Sequence, residues 1–308
     1  MNLYMRSIGF TNLDSEGESR FVDEIIKESI RSKTIIKHPI LNRALIIARA
    51  SQTSGIYIYG RFEGDTFIFE YAYPFLLGKS RMISENISVE RHADKESYAV
   101  VSEESESGIT LIFYLQNIMD YLEYLTDEKG LACRDYNLDI RSEMEEVELA
   151  SRQISLTGMS LSGTILLPTM DENESHKMNK SDMNRQRLIK AARNGDEKAI
   201  ESLTLEDIDK YNEITQRIMK EDVFTIVDSS FMPCGVECDQ YKVVGKIIEV
   251  DTEVNILTSE EIYVMLLECN DMSITVAIAK KDLLGEPAVG RRFNGRIWLQ
   301  GSVKFYVE

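Results

Sequence analysis

The chain has 308 residues, with 52 acidic against 35 basic side chains and a formal net charge of −17; a balance that negative repels phosphate backbones at long range and disfavours a general nucleic-acid binder. Hydrophobic residues at 43% and charged residues at 28% exclude a disordered chain, and the length suits two compact domains. Residues 1–14 carry Arg6 as their one positive residue and no continuous apolar core, and no apolar run approaches the roughly 20 residues that cross a bilayer, so the expectation is a cytoplasmic protein with no membrane association.

In chain order, Phe21, Ile25, Ile26 and Ile30 recur at helical spacing and predict an amphipathic helix over residues 20–30. A second apolar run over 40–50 leads into a strong hairpin signal, 56–62 and 66–73 around Glu63, Gly64 and Asp65. Period two puts Phe67, Phe69, Tyr71 and Tyr73 on one face, with Tyr57 and Tyr59 able to meet them across the strands. Such a stripe can stack bases; a sheet face covered by a helix produces the same pattern, and core packing is the reading preferred here. Strands are predicted at 87–91, 98–101 and 108–114, then a helix near 115–125 and a strand pair at 153–159 and 163–167. These elements make residues 1–168 an α+β domain with an antiparallel sheet.

Residues 169–182 are polar and charged and read as a linker, with His176 solvated inside it. Residues 183–222 read as a helical segment packed with the C-terminal module: Leu188, Ala191 and Ala192 share a face, Asn194 and Gly195 stop the first helix, and Thr204 with Asp207 resembles a capping box. Residues 191–203 resemble the opening of an ankyrin unit, but no second copy is found at the needed period.

Residues 223–308 are expected to form a small β-barrel. Candidate strands lie at 242–250, 261–269, 273–279, 293–300 and 302–307, with a short helix around Asp282, Leu283 and Leu284 after the third. That order is OB-like, with an SH3-like barrel as the alternative. The face that OB-folds use for single strands offers only Tyr263 as an aromatic. A local basic group, Lys280, Lys281, Arg291, Arg292 and Arg296, is the candidate anion- or partner-binding set; its bland counterpart is solvated charge at strand ends.

The four cysteines, Cys133, Cys234, Cys238 and Cys269, are scattered and read as free thiols, without the spacing of a zinc site. No phosphate loop, nucleophile elbow or paired-ligand helix is present, so no catalytic residue, metal or cofactor is assigned.

Residues 191–197, 203–209, 221–228, 231–241 and 281–301, most specifically Phe231-Met232-Pro233 and the stretch 293–301, resemble an uncharacterised bacterial family of similar length, a domain of unknown function. The resemblance implies a cytoplasmic bacterial protein and brings no activity, ligand or site residue. The function expected from the sequence is therefore a non-catalytic cytoplasmic binding or regulatory protein acting on an unidentified protein partner. Two alternatives stand beside it: weak RNA or nucleotide-phosphate binding through the C-terminal barrel, and an enzyme with an interdomain site.

Overall fold

The computed structural model describes residues 2–12, 15–91, 97–102, 110–128, 146–167, 188, 198, 201–202, 229–234 and 239–306. The chain divides into two compact units, Met1–Ile165 with Ser229–Glu308, and Leu166–Asp228. In the second unit, residues 188, 198 and 201–202 are helical. The linker and most of the helical segment expected between 169 and 222 lie outside the described residues, as do Cys133, Cys238 and His176.

The first unit opens with a 3-10 turn, Leu3–Ile8, capped by the Asn2 side chain, which accepts from the Tyr4 amide. Helix α1, Ser15–Ser32, comes next. Its buried stripe is Val22, Ile26 and Ser29, at i, i+4 and i+7, with Phe21 and Ile25 half-buried beside it. Ile30, expected on that stripe, is exposed.

Four antiparallel strands then form a first sheet: β1 (Ile36–Lys37), β2 (Ala44–Arg49), β3 (Ser54–Glu63) and β4 (Thr66–Leu76), in that order. The hairpin read from the sequence is β3–β4, and Gly64 takes the positive φ of its turn. Tyr57 faces Tyr73 and Tyr59 faces Tyr71 across the ladder. Tyr59 and Tyr73 are buried, and Tyr73 meets Tyr114 edge-on at 4.8 Å. The aromatic face is thus core, except for Phe69, which a bulge at Tyr59/Gly60 leaves exposed.

The larger sheet has ten strands. Its N-terminal contributors are β5 (Met82–Arg91), β6 (Tyr98–Ser102), β7 (Leu111–Leu115) and β8 (Glu146–Leu166), with helix α2 (Ile118–Glu128) between the last two. Its C-terminal contributors are β9 (Ser230–Pro233), β10 (Gln240–Val254), β11 (Glu261–Cys269), β12 (Met272–Ala279), β13 (Leu283–Leu284) and β14 (Arg292–Val303). The order is β11-β12-β8-β5-β6-β7-β14-β10-β9; β13 pairs with β8, and β10 also pairs with β11 and β8 with β14. Buried side chains from both sheets, among them Ile58, Phe113, Met159, Phe293 and Ile297, form one core.

Two expectations need correction. Residues 223–308 do not form a self-contained five-stranded barrel: the strand foreseen at 293–300 runs on through Val303 as one continuous β14, and residues 304–306, foreseen as part of a fifth strand, are not in a strand. Nor do 1–168 and 223–308 make separate sheets, because β8 runs parallel to β12 and β7 runs parallel to β14. The physical reason is that β8, at 21 residues, and β14 are long enough to offer both edges to partners from each half.

His38 links β1 to the core by its ring. Its Nδ1 accepts from the amides of Ile40 and Leu41 at 3.2 and 2.9 Å, which requires the neutral ring. Burial lowers its pKa from the ordinary 6.5, against the opposing pull of the Leu122 carbonyl and of Glu123 and Asp127. With the folded value depressed, the unfolded chain takes up the proton first as the pH falls, so the stability this site supports is complete above about 6.5 and is lost below it. A His38→Asn variant keeps an acceptor for the following amides but does not titrate. Its melting temperature is expected to fall less than that of the wild type between pH 6.5 and about 5, and parallel profiles would refute the assignment.

Candidate functional site

The basic residues singled out in the sequence do not converge. Lys280 pairs with Glu261 at 2.9 Å, which raises its pKa, and sits 5.8 Å over the Tyr263 ring. Lys281 donates to Asn12 at 3.2 Å and lies 3.5 Å from Glu260. Arg291 donates to the Glu286 carbonyl at 2.6 Å. Arg292 is buried, at 3% exposure. Arg296 lines a groove.

That groove is open, has a volume of about 520 Å³, and runs over β8, β14 and β10 beside the N-terminal 3-10 turn. The antiparallel ladder places Lys242 of β10 directly opposite Arg296 of β14, so their Cβ atoms are about 5 Å apart on one face. Both side chains are exposed, while Tyr241, Val243 and Ile297 beside them turn into the core. Among the described residues neither Lys242 nor Arg296 has an acidic partner. Two like charges directly across a ladder are destabilising on their own account, and in a protein of net charge −17 carboxylates to relieve them are not scarce.

The remaining lining combines hydrogen-bonding groups and one ring with Leu161 and two glycines. Ser162 and Thr164 come from β8, Asn294 from β14, and Tyr4 from the 3-10 turn; among the described residues no lining residue is acidic. The 3-10 turn is held in place by Arg6, whose guanidinium grips Asp282 through two bonds of 2.7 and 2.6 Å, and by Asn255, which donates to the Ile8 carbonyl at 2.7 Å. Tyr4 thereby rests on Trp298 with ring centroids 5.1 Å apart. The strands under the groove approach closely: a Cβ on Gly295 would lie 2.5 Å from Phe293 Cζ and 2.9 Å from the Ser162 carbonyl oxygen.

This arrangement can hold an anion by charge and hydrogen bonds. Among the described residues no cluster of three or more His, Cys, Asp or Glu is placed to hold a metal ion. Cys234 and Cys269 are free thiols, and burial pushes the Cys269 thiol up to about 12, away from reactivity. No helix among the described residues is long and apolar enough to cross a membrane.

Sequence reasoning missed Lys242, Tyr4 and Asn294. The alternation of Lys242 with Val243 marked an outward position, but its neighbour Arg296 is 54 positions away, and only the strand register brings them together.

The molecule is therefore a mostly β protein with few helices and a basic groove on its larger sheet. Residues 5–301 match the family described as "Domain of unknown function, E. rectale Gene description (DUF3881)", and the chain belongs to that family. Neither the curated proteins nor the solved structures gave a match.

Proposed function

We propose that the protein is a non-catalytic cytoplasmic binding or regulatory protein, and that its binding element is the groove at Lys242 and Arg296, which takes an anionic, phosphate-bearing ligand. One observation carries the reading: two cations without an acidic partner among the described residues face each other across β10 and β14, in a lining whose described residues include no carboxylate. A guanidinium and an ammonium side by side suit a phosphate, the first by its fork and the second as a point charge. The lining offers fixed donors and, among the described residues, no histidine or carboxylate, which favours capture over proton transfer. In architecture, we read the circuit of pairings β10–β11–β12–β8–β14–β10 as OB-like, with β8 in the place of a fifth C-terminal strand; the β10–β11 and β8–β14 pairings support it.

The test is thermal unfolding of the full chain in inorganic phosphate against chloride at matched ionic strength. At 100 times Kd a ligand stabilises by about 2.7 kcal/mol, a rise of roughly 4 °C for a chain of this size. The rise is expected in the wild type and not in the Lys242→Ala/Arg296→Ala double variant. Equal midpoints in phosphate and chloride, or an undiminished rise in the double variant, would remove the groove from consideration.

A further inference from the structure

Along β14 the groove presents its chemistry in a line. Asn294, Arg296 and Trp298 alternate on one face, and Tyr4 lies over Trp298 as a wall of the same groove. Residues two apart on a strand are separated by about 6.6 Å, so an aromatic platform begins one strand step from the cationic pair, a gap that a ribose spans. Trp298 is itself buried: Asp239 accepts from its indole nitrogen at 2.7 Å and Tyr114 packs at 5.1 Å. Tyr4 is thus backed by a fixed ring and only partly covered. Such a backed ring is what base stacking uses, and it tolerates any base because every base has a π-face.

Resting on the reading of the groove as an anion site, we propose that its ligand is a nucleoside phosphate, with the phosphate between Lys242 and Arg296 and the base against Tyr4. Asn294 is placed to hydrogen-bond the phosphate from the far side of Arg296. A long strand is the poorer fit: the groove is short, it offers one pair of cations, and the net charge of −17 opposes every further phosphate.

The chain contains a single tryptophan, Trp298, so its fluorescence reports on Tyr4 directly. Calorimetric and fluorescence titrations of the full-length protein would compare AMP, GMP, CMP and UMP with ribose 5-phosphate and inorganic phosphate. At least one nucleotide is expected to bind about fivefold or more tighter than ribose 5-phosphate, the lower end of what stacking one base contributes, and to change the Trp298 emission. Tyr4→Leu should abolish that advantage and leave ribose 5-phosphate binding unchanged, whereas Tyr4→Phe should preserve it. If phosphate and ribose 5-phosphate bind as tightly as every nucleotide, the base is not recognised; the present inference falls and the anion site stands. If none of them binds, both fall. Affinity for oligonucleotides that keeps rising with length would identify a strand as the ligand and overturn the small-ligand proposal. Should Tyr4→Leu lose its native circular dichroism, the wild-type comparison of nucleotide with ribose 5-phosphate decides alone.

Discussion

Replacing Gln300 with leucine is expected to cost about 2–4 kcal/mol of stability, read as a lower midpoint of urea unfolding at unchanged slope. Gln300 is fully buried where the two sheets meet. Its Oε1 accepts from Gln116 Nε2 at 2.6 Å, and its Nε2 donates to the Pro74 carbonyl at the end of β4, at 3.1 Å. Gln116 in turn donates to Thr157 of β8 at 2.8 Å, while its backbone carbonyl accepts from Tyr73 at 2.9 Å. Leucine matches the volume of glutamine but leaves the Pro74 carbonyl and one Gln116 hydrogen without a partner in a site that water does not reach. The cost comes from those stranded groups, because a satisfied hydrogen bond has a net value of only about 1 kcal/mol. Gln116→Leu should be comparably harmful. The double variant should be less so than the sum, by about 1–3 kcal/mol, since each single change orphans the other's amide. Strict additivity would mean that the two amides act independently.

Gly295→Ala is expected to destabilise by about 2–3 kcal/mol, the upper part of the range for over-packing a filled core. The added methyl group would lie 2.5 Å from Phe293 Cζ and 2.9 Å from the Ser162 carbonyl oxygen. The ring is wholly buried and the carbonyl belongs to β8, so neither yields cheaply. Relief requires β8 and β14 to part, which would also distort the groove. Adding Phe293→Leu removes the ring but not the carbonyl contact, so the rescue should be partial. A Gly295→Ala protein as stable as the wild type would show that the two strands are more loosely joined than the distances state.

Local patterns were legible in the sequence. The helix over 20–30, the hairpin around Gly64, and strands β11 and β12 could be read because each is written within about twenty residues. The errors were at glycines and at long range. Gly301 ended the predicted fourth strand of the tail because glycine in a strand usually marks a bend. In the fold it lies within β14, where a Cβ would meet the Phe113 ring at 2.7 Å, so its smallness serves a ring 188 positions earlier in the chain. Residues 160–162 separated two predicted strands that are one β8 in the fold; Gly163, which opened the second of them, leaves room for Phe293. The candidate site was half legible. A basic group was visible near the C-terminus, but which of its members were neutralised depended on Glu260 and Glu261, and which neighbour remained depended on the register of β10 against β14.

The place of β14 sets the order in which the molecule can be made. It is a partner of β7, β8 and β10, yet it occupies residues 292–303, so a chain emerging from the ribosome carries three open strand edges until residue 303 has been synthesised. Open edges are templates for pairing with other chains, and distant pairings form slowly. Production at reduced temperature, where fewer unfinished chains meet one another, should raise the yield of native protein, and truncation before residue 292 should leave insoluble material.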